Sequence, residues 1–259
     1  MRTVEEYREI LTLWGEGESK KAIANITGIP RRTVIDCIQR YENLAGLEAA
    51  LADKALRGKG DADSVVNWLL NRPGEVHRAY TYLLGLYLGD GCITKPATHR
   101  VYRLRIALDQ KYPGIIQSCV EALQILLPDN RVGITPSTGC DYVGCSYNHW
   151  PALFPQHGEG PKHLRPIALT DWQQDFAERY PLDLLRGLYH SDGSRSRNFV
   201  NGKDYPRYLF SNESPGIRRI FAEACDRLGL RWTIANRRNV CVSRRPDVAR
   251  LDALIGPKA

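Results

Sequence analysis

The sequence predicts an α+β protein: an N-terminal all-α module followed by two halves, each of the order αββαββα. Three observations predict it. A seven-residue helix end, Gly85-Leu-Tyr-Leu-Gly-Asp-Gly91, returns as Gly187-Leu-Tyr-His-Ser-Asp-Gly193 with five positions identical. The segments after each copy switch between period-two and helical patterning in the same order. The first 45 residues read as a module of short helices.

The module over residues 1–45 reads as three helices. Val4, Tyr7, Ile10, Leu11 and Trp14 recur at helical spacing, and Gly15-Glu-Gly17 interrupts them. Residues 20–27 form a short second helix with Ala22, Ile23 and Ile26 inward. Gly28 takes a tight turn, and Pro30 sits at a first helical position, where its missing N–H costs nothing. The third helix turns Val34, Ile35 and Ile38 inward and leaves Arg31, Arg32 and Thr33 exposed at its start. The arrangement resembles a helix-turn-helix of the resolvase or regulator type, whose recognition helix meets base edges through its first turns. Arg31, Arg32 and Thr33 are therefore candidate DNA contacts.

Residues 46–76 read as a helical linker: an Ala/Leu-rich helix over 47–56, a flexible Arg57-Gly-Lys-Gly60 break, and a short helix over 65–70. The first half follows over 77–156. After Gly91 come a short extended stretch over 92–95 and a strand over 101–108, which places Tyr102, Leu104, Ile106 and Leu108 on one face and Arg103 and Arg105 on the other. A helix over 115–126, strands over 131–135 and 141–147, and a short helix over 149–154 complete it. Residues 157–182 form an inter-half linker and helix. The second half, 183–259, repeats the order. Strands over 194–199 and 205–210 put Arg195 and Arg197 on one face of the first and Tyr208 and Phe210 on the apolar face of the second. A helix over 217–228, strands over 231–235 and 240–243, and a helix over 248–254 follow.

In each half the helices cover one face of a four-stranded sheet and leave an Arg-bearing face open. Two halves side by side give a basic, twisted saddle suited to duplex DNA, with phosphate contacts holding register and strand side chains reading the major groove. The candidate contacts are Arg103, Arg105, Arg195, Arg197, Arg207 and Arg237. The charge balance agrees in sign: 36 Lys and Arg against 29 Asp and Glu, a net +7. A basic patch is the electrostatic footprint of a polyanion partner.

Other classes are disfavoured. No apolar run reaches the roughly 18 residues of a membrane span. The charged, helix-like start lacks the apolar stretch of a signal peptide, which points to a cytoplasmic protein, nucleoid-associated if bacterial. The seven cysteines are dispersed without Cys-x-x-Cys spacing, so reduced thiols are expected and a zinc site is not. The chain neither begins with Cys or Ser nor ends in His-Asn, so it reads as free-standing rather than an intein. It is expected to be a monomer with internal pseudo-twofold symmetry.

The repeated helix end carries the chemistry. Gly85 and Gly89, like Gly187 and Ser191, lie four apart on one helical face, where small residues let two backbones approach closely. These four residues are the predicted interface between the motif helices. Such packing brings Asp90 and Asp192 together at the two C-terminal ends, each followed by a glycine able to take the left-handed C-terminal position. A helix C-terminus disfavours a carboxylate, and two close carboxylates repel. Divalent cations between them and DNA phosphates would resolve both problems. Hard oxygen ligands favour Mg²⁺, and paired metals support in-line phosphodiester hydrolysis.

On these motifs the chain resembles the LAGLIDADG (dodecapeptide) homing endonucleases in their single-chain, two-motif form, over about residues 78–257. The resemblance implies two αββαββα halves with saddle sheets, active sites over the minor groove, and one strand cut by each half with Mg²⁺. It carries Asp90 and Asp192 over as the motif acids and metal ligands, with Gly89 and Ser191 beside them in the metal sites. It also implies a basic catalytic residue near each site. Lys162 or Arg165, in Gly158-Glu-Gly-Pro-Lys-His-Leu-Arg-Pro-Ile167, is the candidate in the first half, and Arg244 or Arg245 in the second. Leu88 and His190 stand where the family name has Asp, a position that varies. His190 reads as a partly buried interface residue. Two functions follow. Retention of both acids favours a Mg²⁺-dependent, site-specific DNA endonuclease, a phosphodiester hydrolase. The helix-turn-helix favours a non-cleaving transcription regulator on a LAGLIDADG-derived scaffold.

Overall fold

The computed structural model describes residues 3–56, 61–95, 101–256 and 258. The chain divides into two compact units, Met1–Trp68 and Leu69–Ala259.

The first unit is helical. Helix α1 (Val4–Gly15) opens on a reciprocal cap: Glu6 N–H donates to Thr3 Oγ1 at 3.2 Å, and Thr3 N–H donates to Glu6 Oε2 at 2.7 Å. Helix α2 (Lys20–Thr27) is capped by Ser19 and ends at Gly28, whose φ of 68° is left-handed. Helix α3 (Arg31–Tyr41) follows Pro30. Ile10, Leu11, Ile23, Val34, Cys37 and Ile38 form the shared core. Ile26 departs from expectation: it is 57% exposed, because an eight-residue helix offers the core one narrow stripe, filled by Ile23. Ile35 is half-buried, and Cys37 takes the inward place beside Val34 and Ile38.

The segment expected to be linker begins with a structural helix. Helix α4 (Leu44–Leu56) buries Leu47 to 1% exposure in this same core, and Arg8 Nε donates to Glu48 Oε1 at 2.8 Å. The predicted Arg57–Gly60 break lies outside the described residues. Helix α5 (Ala62–Leu70) crosses the boundary between the units.

The second unit holds two series of elements. The first is α6 (Gly74–Asp90), β1 (Gly91–Thr94), β2 (Arg103–Asp109), α7 (Pro113–Leu126), β3 (Gly133–Ser137), β4 (Cys140–Gly144) and α8 (Trp150–Leu153). A 3₁₀ turn at Lys162–Leu164 and helix α9 (Asp171–Arg179) connect the two. The second series is α10 (Pro181–Asp192), β5 (Gly193–Ser196), a hairpin of β6 (Phe199–Val200) and β7 (Lys203–Asp204), β8 (Arg207–Ser211), α11 (Pro215–Arg227), β9 (Thr233–Asn236), β10 (Asn239–Val242) and α12 (Arg245–Leu254). The hairpin is an addition that the sequence pattern did not announce. The two sheets are antiparallel with matching orders, β1-β2-β4-β3 and β5-β8-β10-β9. Helices α7 and α11 both open on Pro-Gly-Ile, 102 residues apart. That is the same offset as between Asp90 and Asp192, and proline suits the first helical turn.

Alternation builds each sheet. Leu104, Ile106 and Leu108 of β2 are buried while Arg103 and Asp109 are exposed. In the second sheet Tyr208 and Phe210 are buried, and Phe210 stacks on Phe221 of α11 at 4.3 Å. Each such fully buried side chain contributes about 1.5–3 kcal/mol of transfer free energy.

Helices α6 and α10 pack along their small residues. A methyl group added to Gly85 would stand 2.6 Å from the Leu184 carbonyl oxygen and the Leu188 nitrogen. One added to Gly187 would collide with the Tyr82 carbonyl oxygen. Nearby, Tyr82 Oη and His190 Nδ1 share a hydrogen bond of 2.9 Å across the two helices, and His190 is 8% exposed. Burial and the Arg186 charge draw the His190 imidazole down to about 3, so it is neutral at ordinary pH. Among the described residues no helix is long and apolar enough to cross a membrane.

Candidate active site at the paired helix ends

Asp90 closes α6 and Asp192 closes α10, so the close helix packing sets the spacing of the two carboxylates. A methyl group on Gly89 would lie 2.7 Å from Asp192 Oδ2, which puts the last turn of one helix against the acid of the other. The following glycines do not take the left-handed conformation expected of them. Gly91 (φ −87°, ψ 149°) and Gly193 (φ −88°, ψ 157°) are extended and start β1 and β5 directly. They are glycines for space: a Cβ on Gly91 would meet Tyr87 Cα at 2.5 Å, and one on Gly193 would meet Tyr189 Cα at 2.7 Å.

Both acids are held above the usual carboxylate range. Asp90 is raised to about 6 by loss of water around the carboxylate and by the neighbouring Asp192 charge, although its surface still reaches solvent. Asp192 is half-buried and raised by burial, against a 2.7 Å hydrogen bond from Asn212 Nδ2 that favours its charged form.

Each helix end also carries a lysine. Lys162 Nζ donates to the carbonyl oxygens of Tyr87, Leu88 (3.0 Å) and Gly89 (3.1 Å), and lies 4.8 Å from the Tyr87 ring centroid. These are last-turn carbonyls, where a cation also complements the helix dipole. Burial draws the Lys162 ammonium down to about 8, opposed by the pull of Asp90 and Asp192. Lys258 Nζ donates to the Ser191 carbonyl oxygen at 2.8 Å and lies 5.8 Å from the ring of Tyr189, the counterpart of Tyr87. Burial lowers this ammonium as well. Thus Gly89 and Ser191, which precede the acids, each present a carbonyl to an ammonium group.

Of the two first-half candidates, Lys162 reaches the paired ends. Arg165 instead donates to the Gln156 carbonyl oxygen at 3.1 Å. In the second half, the two candidates lie at the start of α12. Arg244 caps the start of α12 and Arg245 lies over the Tyr205 ring at 5.0 Å. Lys258 instead reaches the end of α10. A signal for it exists in the sequence: Gly-Pro-Lys occurs at 160–162 and again at 256–258, after the last helix of each half. Gly160 and Gly256 share a left-handed φ, 73° and 74°, which favours glycine at both turns.

The chain resembles LAGLIDADG proteins of known structure. The homing endonuclease I-DmoI in complex with DNA and Mn shares 18% identity, with 70% of this chain and 97% of that chain covered and a TM-score of 0.46. The N-terminal LAGLIDADG domain of DUF199/WhiA shares 13% identity over 81% of this chain and 91% of that chain, also at 0.46. The LAGLIDADG meganuclease I-AabMI bound to uncleaved DNA shares 11% identity over 68% and 82%, at 0.43. No family model matches the sequence, and no curated protein matches it.

The remaining predicted residues fall into three groups. On β2 the open face carries Arg103 and Arg105, and Arg105 lies 4.0 Å over the Tyr142 ring of β4. Arg207 of β8 occupies the open face of the second sheet at the position equivalent to Arg103, since Gly91 pairs with Ile106 as Gly193 pairs with Phe210. Arg197 and Arg237 lie beyond strand ends and are ion-paired, to Asp204 at 2.8 Å and Glu213 at 3.5 Å. Arg195 corrects the expectation. It pairs with buried Tyr208 in register, so it points to the helix-covered face, where it grips Asp252 of α12 at 2.6 and 2.9 Å. In the other unit Arg31 and Arg32 are exposed, Thr33 is half-buried, and Arg32 Nε lies 3.1 Å from Asp36 Oδ1.

Proposed function

We propose that the chain binds double-stranded DNA and hydrolyses it at a specific site, using the two helix-end carboxylates with a divalent cation. The observation that carries this reading is the pairing at one place of Asp90, Asp192, Lys162 and Lys258, one acid and one lysine per half. An ordinary helix stop needs no second carboxylate beside it. Both acids are held above their normal titration range, Asp90 by burial and the Asp192 charge and Asp192 by burial, and perturbed carboxylates gathered in this way mark functional sites.

The carboxylates of Asp90 and Asp192 are hard oxygen donors that fit a divalent cation such as Mg²⁺, while the Gly89 and Ser191 carbonyls beside them accept from the two lysines. Among the described residues no group of three His, Cys, Asp or Glu could hold a metal ion. A bound cation would supply charge neutralisation and acidify a ligated water. The chain's own groups do the rest. The carboxylates orient what binds between them. Lys162 and Lys258 set positive charge beside a reacting phosphate, and a Lys162 ammonium near 8 can exchange a proton close to neutrality. The open sheet faces, with Arg103 and Arg207 in equivalent positions, supply backbone contacts on the two sides of a pseudo-twofold monomer.

A second reading, a DNA-binding transcription regulator, is favoured by one observation. The N-terminal unit leaves Arg31 and Arg32 exposed at the start of α3, after the left-handed turn at Gly28, as a helix-turn-helix requires. Linearisation of a randomised plasmid library separates the two. The cleaving reading predicts linear product with Mg²⁺ and none with EDTA. Retarded mobility of duplexes without linear product under any divalent cation would leave the regulator standing.

A further inference from the structure

We propose that Arg195, Asp252 and Tyr208 form a latch that positions Lys258 at the end of α10; its catalytic consequence rests on the cleaving function above. The contact is a fork: Arg195 Nε and Nη2 donate to the two oxygens of Asp252 at 2.6 and 2.9 Å, and Tyr208 Oη donates to Asp252 Oδ1 at 2.6 Å. Bidentate charged pairs fix geometry as well as contribute energy. Arg195 lies three residues beyond Asp192 on β5, and Asp252 lies six residues before Lys258.

From Asp252 to Gly256 the chain is held by its own backbone. The amides of Ile255 and Gly256 both donate to the Leu251 carbonyl oxygen, at 2.9 and 3.1 Å, and left-handed Gly256 turns the chain back. Lys258 then reaches the Ser191 carbonyl oxygen. A closed circuit results, running from Asp192 through β5 to Arg195, across to Asp252, along the tail to Lys258, and back to α10. Besides the fork, α12 is held by buried Leu251 and Val248, about one and two turns before the tail, by Arg250 donating to the Leu228 and Gly229 carbonyl oxygens at 2.8 and 3.4 Å, and by Asp247 accepting from the Arg231 amide at 3.3 Å; of these contacts the fork lies nearest the tail.

Among the described residues the first half has no such device. Ile93 occupies the register position of Arg195, and Leu104 that of Tyr208. Among the described residues Lys162 is instead fixed by its own three carbonyl contacts against one for Lys258. The second-half lysine is thus the one that needs external positioning.

The test uses the full chain with Arg195→Met, Asp252→Asn and the conservative Arg195→Lys. Hydrogen exchange at Ile255 and Gly256, read without DNA, should quicken about tenfold or more in Arg195→Met and Asp252→Asn, and less in Arg195→Lys. Unchanged exchange would overturn the latch. On a strand-labelled duplex recovered from a randomised plasmid library, Arg195→Met should slow cutting of one strand about tenfold to a hundredfold while the other strand and the Kd are unchanged. Equal slowing of both strands would indicate a merely structural role. A weaker Kd would make Arg195 a DNA contact. If wild-type protein cuts no duplex, the cleaving function fails, and the exchange result alone still decides the latch.

Discussion

Gly85→Ala probes the helix contact on which the paired acids depend. Its new methyl group would meet three backbone atoms, the Leu184 oxygen and Leu188 nitrogen at 2.6 Å and the Gly187 carbonyl carbon at 2.8 Å. Ordinary contact begins at 3.4 Å, so the helices must part by a sizeable fraction of an ångström. No flexible side-chain end can give way instead. Overpacking of this kind costs up to about 3 kcal/mol. Removing a mid-helix glycine returns about 1 kcal/mol of propensity. The net is a loss of about 2 kcal/mol, or a Tm lower by about 4–8 °C for a unit of this size. Calorimetry should show the transition of the Leu69–Ala259 unit falling while that of Met1–Trp68 stays. Gly15→Ala, with nothing within 4 Å, is the control and should be neutral or slightly stabilising. A Gly85→Ala protein as stable as the parent would refute the close packing, and with it the reason for the spacing of Asp90 and Asp192.

Further outcomes follow from the same geometry. Asp90 has a folded pKa of about 6, above its unfolded value near 4, so metal-free wild type loses stability as pH rises through that window. Asp90→Asn should therefore raise Tm at pH 7, with the gain closing as pH falls towards 4; a constant difference would contradict the shift. Tyr82→Phe strips buried His190 of its partner and should cost about 1–3 kcal/mol in denaturant unfolding. A neutral result would mean the hydrogen bond is not formed. Arg31→Ala with Arg32→Ala should weaken duplex binding in mobility assays and leave every thermal transition in place; unchanged affinity would remove α3 from the interface.

The sequence made the halves legible where apolar residues marked a face. In β2, Leu104, Ile106 and Leu108 set the parity, and the arginines between them had to lie opposite. In β5 the run Gly-Ser-Arg-Ser carries no apolar residue, so nothing local says which face is inward. Pairing with Tyr208 decides it, and that is why Arg195 was misplaced. The small-residue spacing revealed the helix contact because backbone approach depends on residue size alone. Lys258 escaped notice because it lies 66 residues beyond Asp192, and only the tail's return brings them together. Helix α4 had a linker's composition, and its place in the core depends on Leu47 meeting Ile10 and Leu11.

The central claim is that Asp90 and Asp192 form one catalytic pair rather than two helix stops. The most direct measurement compares wild type with Asp90→Asn/Asp192→Asn on the same duplex in Mg²⁺, recording binding and cutting together. The account predicts that wild type cuts, while the double variant binds equally or more tightly and cuts nothing. Equal binding with no cutting by either protein, in Mg²⁺ or Mn²⁺, would contradict it.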